Sequence, residues 1–206
     1  MDYETFPVGD YGANCTLLRG DSGKAWIVDP GDDADLILGE LEKRRLSPAL
    51  IVLTHCHFDH VSALDDLLAK YPVPVYIHKD DAELVFCDFN RQFGYKVPSR
   101  PADYRTELGD GDVLEAAGIS AKIIATPGHT PGGWCLYFAT AGLLIAGDTL
   151  FAGSVGRTDF PGGSFATLRK SIDKLLALPD DTKVICGHGP ETTIGAERRS
   201  NPFLQE

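Results

Sequence analysis

Directly after the apolar run 49–53, the chain reads Thr54-His55-Cys56-His57-Phe58-Asp59-His60, with three imidazoles and a carboxylate inside six residues. These side-chain types are the nitrogen and oxygen donors of divalent cations. The spacing H-x-H-x-D-H arises by chance on the order of once in two thousand chains of this composition, so accident is a poor account of it. The fold must therefore offer this loop at the end of a buried strand and bring further donors to it. Alternate side chains of an extended segment share a face, so His55 and His57 can hold one cation while Cys56 points away. Asp59 and His60 then turn toward a second position. Asp59 also stands where an N-cap of a helix beginning at Val61 would stand.

Three other segments place a donor at a strand end beside glycine, where backbones can approach closely. They are Thr126-Pro127-Gly128-His129-Thr130, Ala146-Gly147-Asp148-Thr149 and Cys186-Gly187-His188-Gly189-Pro190. Taken singly, a loop histidine is more often a satisfied polar residue than a ligand; the combination with the first cluster reverses that.

The pattern along the chain is that of an α/β protein. Runs 14–18 and 24–28, separated by Gly20-Asp21-Ser22-Gly23, read as a hairpin. Leu36, Ile37 and Leu41 give residues 33–45 helical spacing, strand 49–53 follows, and helix 61–69, strand 73–77 and helix 80–86 continue the alternation. Residues 87–104 show no period and read as a long loop. Strands are then predicted at 121–125, 134–138, 143–146 and 183–186, with helices at 164–178 and 193–199.

At 206 residues with 43% hydrophobic and 24% charged side chains, the expectation is one domain over 1–206. No apolar run is long enough to span a bilayer. The N-terminal residues resemble no secretory signal, so the expected location is cytoplasmic, with no membrane partner. Cys15, Cys56, Cys87, Cys135 and Cys186 are odd in number, widely spread and contain no C-x-x-C pair, so neither a zinc ribbon nor a disulfide framework is indicated. A net charge of −11 disfavours nucleic acid as a partner, because such binding gains affinity by counterion release to lysine and arginine. Oligomeric state leaves no mark in the sequence.

The order H-x-H-x-D-H, G-H-T, G-D-T, G-H-G resembles the metallo-β-lactamase superfamily over nearly the whole chain. Two segments narrow the likeness to single-domain type II glyoxalases, the hydroxyacylglutathione hydrolase-like branch. One is Gly153-Ser154-Val155-Gly156-Arg157-Thr158-Asp159-Phe160-Pro161-Gly162-Gly163. The other is Gly189-Pro190-Glu191-Thr192-Thr193-Ile194-Gly195 followed by Asn201-Pro202-Phe203-Leu204.

The resemblance implies a four-layer αβ/βα sandwich of two mixed β-sheets flanked by helices, with the site in a groove at one edge. It also implies two divalent metal ions. His55, His57 and His129 would bind the first, Asp59, His60 and His188 the second, and Asp148 would bridge them. Zinc is the default, and the donors suit iron and manganese as well. Asp29 matches the family aspartate behind the ligand loops, and as plain chemistry fits a turn before Pro30-Gly31 equally well. His78 matches no ligand motif and is expected to be structural.

Two cations roughly 3.5–4 Å apart can share a water, bring its pKa near neutrality and aim the hydroxide at a carbonyl carbon. In that scheme Asp59 orients the hydroxide. A thiol leaves readily as thiolate whereas an amide nitrogen must be protonated, which tilts the expectation toward thioesters, above all S-D-lactoylglutathione giving D-lactate and glutathione. Arg157 is the best candidate to hold a substrate carboxylate, its alternative being a local pair with Asp159; Arg91, Lys96 and Arg100 are weaker candidates. The best-known glyoxalases of this kind carry a further helical C-terminal domain that helps bind glutathione, and this chain ends soon after His188. The leading alternative is a mono-iron persulfide dioxygenase of the same fold, whose relatives share a G-R-T-D-F segment; His188 argues against it by completing a second site. A non-hydrolytic metal-binding or redox protein and a nuclease rank lower.

Overall fold

A computed structural model describes residues 1–99 and 103–205. Its first sheet takes β1 (Asp2–Val8), β2 (Ala13–Arg19), β3 (Lys24–Val28), β4 (Ser47–Val52), β5 (Val75–Tyr76) and β6 (Tyr104–Arg105) in chain order. The second contains β7 (Val113–Ala116), β8 (Ile119–Ala125), β9 (Trp134–Phe138) and β10 (Leu143–Gly147). A small hairpin of β11 (Leu150–Phe151) and β12 (Ser154–Val155) stands apart, and β13 (Lys183–Cys186) with β14 (Thr192–Thr193) completes the sheet in the order β14-β13-β10-β9-β8-β7. Both sheets are mixed: β3, β4, β5 and β6 pair in parallel, as do β10 and β13, and the other pairs are antiparallel. The helices are α1 (Ala34–Lys43), α2 (Leu64–Lys70), α3 (Lys79–Ala82), α4 (Asp88–Arg91), α5 (Phe165–Leu175) and α6 (Ile194–Ser200).

The two-residue period of the central strands builds the layers. In β3, Trp26 and Val28 face the second sheet, while Ala25 and Ile27 face α1 and α2. In β4 the same split separates Leu50 and Val52 from Ile51. On the second sheet Leu143, Ile145 and Ile185 turn toward the first, and Leu144, Ala146 and Val184 turn toward α5 and α6. Strands that are apolar on both faces must be covered on both, so the arrangement is α, β, β, α. This is the expected four-layer sandwich.

The boundaries missed by the sequence reading lie mostly at sheet edges. β1 forms an edge strand whose Asp2 and Glu4 are exposed and which carries Pro7; charge and proline are what edges tolerate and what weakens a strand signal. Its register is fixed by pairs such as Thr5 with Thr16, whose hydroxyls meet at 3.0 Å. β7, β14 and the β11–β12 hairpin are similarly short or peripheral. The expected helix 61–69 starts only at Leu64, after a 3-10 turn at Phe58–His60. The helix expected at 80–86 divides into α3 and a 3-10 turn, Leu84–Phe86, and the loop 87–104 contains α4 and ends in β6. Among the described residues no helix is long and apolar enough to cross a membrane.

Loops leaving the C-terminal ends of β4 in one sheet and β8, β10 and β13 in the other converge at one edge of the sandwich. The Trp134 amide donates to Thr54 O at 3.1 Å and its indole Nε1 to Leu53 O at 2.8 Å, joining the sheets beside the H-x-H loop. Asn14 Nδ2 donates to Cys186 O and Gly189 O, both at 2.9 Å, which fixes the backbone on either side of His188.

Candidate metal centre

The convergence places the seven donors expected from the sequence around one point. His55, His57 and His129 form one group whose donor atoms lie within 4.8 Å of one another; Asp59, His60 and His188 form a second. Asp148 stands between them. Its Oδ2 lies 3.5 Å from His129 Nε2 and 3.6 Å from His188 Nε2, and its Oδ1 lies 3.4 Å from His60 Nε2. Asp59 caps no helix: α2 begins after Ala63 with no side-chain cap.

The rings are oriented from behind by acceptors that leave one nitrogen turned inward. His129 Nδ1 donates to Arg157 O at 2.7 Å and His188 Nδ1 to Tyr11 O at 3.1 Å. A carbonyl can only accept, so each Nδ1 carries the proton and each Nε2 faces the centre. His60 Nδ1 meets Asp29 Oδ2 at 3.0 Å, and His55 Nδ1 meets Thr54 Oγ1 at 3.0 Å. Thr54 in turn donates its hydroxyl to Asp29 Oδ2 at 2.6 Å and its amide to Asp29 Oδ1 at 2.7 Å. Asp29, 1% exposed, therefore serves the ring of His60 directly and that of His55 through Thr54.

Inward, three polar atoms lack partners. His55 Nε2, His129 Nε2 and Asp148 Oδ1 are buried without a hydrogen bond, a state that costs about 1–3 kcal/mol per group unless something satisfies it. The Nε2 atoms of His60 and His188 face one another at 3.2 Å. Lone pairs in that position repel unless a proton or a cation lies between them. Glycine makes the crowding possible: a Cβ on Gly187 would collide with Asp148 Oδ1, and one on Gly31 with Asp59 O. Unsatisfied nitrogens and carboxylate oxygens aimed at a shared volume fit divalent cations, and the donor set together with the fold implies metal ions.

The charges respond to the same crowding. Burial holds His55 well below the ordinary imidazole range and brings His57 down to about 3. Burial also opposes charge on His60, but Asp148 and Asp59 outweigh it and raise the imidazole well above its usual value. His188 is raised against burial by its hydrogen bond to Asp59 and the field of Asp148. Conversely, His60 overcomes the burial of Asp148 and carries that carboxyl well below its ordinary value, and Asp59 is lowered in the same way.

The centre forms the floor of an open cavity of about 530 Å3 whose sides include Tyr11, Phe58, Phe93, Phe151 and Phe160. Chemically, this is a pocket with an apolar wall over a cluster of nitrogen and carboxylate donors.

A family model described as the metallo-beta-lactamase superfamily matches residues 8–188. The chain belongs to this superfamily. Over its length it is similar to the probable metallo-hydrolase YqgX of Bacillus subtilis, at 42% identity covering 99% of this chain and 98% of the relative. It is also similar to the hydroxyacylglutathione hydrolase GloC of Haemophilus influenzae, at 38% identity covering 99% and 98%. Among solved structures, the BLEG-1 B3 metallo-beta-lactamase superposes with a TM-score of 0.92 at 35% identity, covering 100% of each chain. TTHA1623 in a di-iron-bound form superposes with a TM-score of 0.89 at 37% identity, covering 98% and 100%.

Within this metallo-β-lactamase site, the residues outside the donor set divide sharply. Arg157 lines the cavity, but Asp159 accepts from its Nε and Nη2, at 2.7 and 2.8 Å, and its Cζ lies 3.8 Å from the centroid of the Phe160 ring. The local pair weighed against substrate binding is thus formed. Lys96 reaches Asp66 on α2 at 3.1 Å, and Arg100 lies outside the described residues. Neither Lys96 nor Arg91 lines the cavity. His78 accepts from the Asp80 amide at 3.3 Å at the start of α3 and packs edge-on to Trp134.

Sequence reasoning missed Asp81. This buried carboxylate accepts from the Cys56 amide at 3.1 Å, the Thr130 hydroxyl at 2.7 Å and the Gly132 amide at 2.6 Å. It joins the backbone between His55 and His57 to the backbone just after His129. Burial raises its carboxyl, with those hydrogen bonds pulling the other way. Nothing in Lys79-Asp80-Asp81-Ala82 separates this aspartate from its exposed neighbour, and only the fold makes the distinction. Asn14 and Asn90 were missed for the same reason; Asn90 Nδ2 donates to Cys56 O at 2.8 Å.

Proposed function

We propose that the protein is a metal-dependent thioester hydrolase of the hydroxyacylglutathione hydrolase type, converting S-D-lactoylglutathione to D-lactate and glutathione in the cytoplasm as one unit spanning 1–206. The observation that carries this reading is the pair of donor groups on either side of Asp148 at the floor of an open cavity. His55, His57 and His129 would hold one divalent cation, Asp59, His60 and His188 a second, and Asp148 both. Zinc is the default, with iron or manganese suited to the same donors. When bound, such cations acidify water to near neutrality and polarise a carbonyl oxygen.

The protein's own residues supply the rest. Asp59 at the cavity floor orients the attacking water. No cysteine competes as nucleophile: none lines the cavity, and burial keeps Cys135 near 11 and Cys186 near 12, so both stay protonated. A thiolate departs without needing a proton donor whereas an amide nitrogen needs one, which favours thioesters over amides. The similarity to GloC supports the same choice. The second donor group supports two cations over the single iron of a persulfide dioxygenase.

The decisive test is thiol release from S-D-lactoylglutathione by purified protein, with metal content measured on the same sample. Hydrolysis with two ions per chain is expected. Oxygen consumption on glutathione persulfide with one iron per chain and no thioester cleavage would overturn the proposal.

A further inference from the structure

The cavity is far from uniform around its metal-binding floor. On the His57 side stands a continuous aromatic surface. Phe58 and Phe93 stack at 4.3 Å with their planes 14° apart, and Phe93 lies 5.7 Å from Phe160. Phe89 backs both, at 5.3 and 5.1 Å. Phe160 stands 5.4 Å edge-on to His57, so the surface begins one side chain away from the first donor group. Phe58 sits between His57 and Asp59 in the chain, which fixes this wall to the donors themselves.

The same surface offers little to an anion. Arg157 is the sole lysine or arginine among the described residues lining the cavity; its Nε and Nη2 are paired with Asp159, and its Cζ lies 3.8 Å from the Phe160 ring centroid. That pair sets a charge-compensated group against the wall instead of an unpaired cation. The chain's net charge of −11 also opposes an anion at long range. Such a wall gains from flat apolar groups, through burial and ring contact, and leaves charged ones poorly solvated.

We infer that the Phe58–Phe93–Phe160 wall is an acyl-group subsite, and that among thioesters the site prefers, over the small lactoyl group, acyl groups that carry a bulky, uncharged aromatic or apolar substituent. The inference rests on the thioester reading above and specifies its substrate class. In the reaction water oxygen bonds to the acyl carbon as the carbon–sulfur bond breaks. The acyl group leaves as a carboxylate, and the thiolate takes up a proton from solvent.

The test compares two thioesters of the same thiol, S-D-lactoylglutathione and S-mandeloylglutathione, which differ in carrying a methyl or a phenyl on the acyl carbon. Each kcat/KM is divided by the rate of alkaline hydrolysis to remove intrinsic reactivity. The corrected ratio is expected to favour the mandeloyl substrate by about tenfold or more, the scale of discrimination available to an apolar pocket. Phe93→Ala and Phe160→Ala should each reduce that ratio several-fold at unchanged metal content, while Phe160→Leu, which keeps apolar volume, should retain most of it. A ratio at or below one, or a ratio unmoved in both alanine variants, overturns the inference while the thioester reading stands. Failure of the two-metal protein to cleave either compound removes both, and is a distinct result.

Discussion

Asp29 Oδ2 receives His60 Nδ1 at 3.0 Å while also accepting the Thr54 hydroxyl at 2.6 Å. One oxygen thereby orients rings in both donor groups, since Thr54 in turn contacts His55 Nδ1. Outer partners of this kind set ligand basicity and direction. Asp29→Ala should weaken metal binding by about 10- to 100-fold, read by competition with a chromophoric chelator; unaltered affinity would show that the rings orient themselves.

His188→Ala and His129→Ala should separate the two groups. Each variant is expected to lose about one ion per chain and most of its activity, because His188 belongs to the Asp59–His60 group and His129 to the His55–His57 group. Metal analysis of dialysed protein checks this. Retention of two ions in either variant would reject that histidine as a ligand.

Asp81→Ala leaves the Cys56 and Gly132 amides and the Thr130 hydroxyl without an acceptor. A loss of about 3 kcal/mol or more is expected from such buried donors, with Asp81→Asn recovering part of it because one oxygen still accepts. Urea unfolding of metal-free samples gives the measurement. A loss below about 0.5 kcal/mol, the usual scale of a surface substitution, would mean that Asp81 holds nothing together.

The acid side of the metal-free stability curve should carry the signature of His57. Its folded imidazole is brought down to about 3 by burial, against about 6.5 for an ordinary imidazole. Between those values the unfolded chain binds a proton there and the folded chain does not, so stability rises with pH across the window and is lost on acidification. One such group contributes a slope of about 1.4 kcal/mol per pH unit. His57→Asn should flatten the curve by up to that amount, with the oppositely shifted His60 and His188 common to both proteins. Equal slopes in urea titrations at several pH values would refute the assignment.

What the sequence made legible follows from where information is local. The donors His55, His57, Asp59, His60, His129, Asp148 and His188 could be named because each sits in a short motif at a strand end, and the central strands because apolar alternation marks them. β9 and β13 match their expected spans residue for residue. Edge strands such as β1 escaped because half-exposed strands are written in the same residues as loops. Asp81 and Asn14 escaped because their partners lie 25 to 51 and 172 to 175 positions away. From sequence Arg157 reads as a charge beside the centre; its pairing with Asp159, two residues on, is a matter of side-chain geometry that spacing alone leaves open.

The donors come from both halves of the sandwich: His55, His57, Asp59 and His60 follow β4, while His129, Asp148 and His188 follow strands of the other sheet. A cation gripping both sets can bind only the docked molecule, so its affinity is also cohesion. At free metal a thousandfold above Kd, mass action adds about 4 kcal/mol to the folded state. Chelation should therefore leave the polypeptide more digestible as well as inactive, making its lifetime under proteolysis a gauge of the surrounding metal supply.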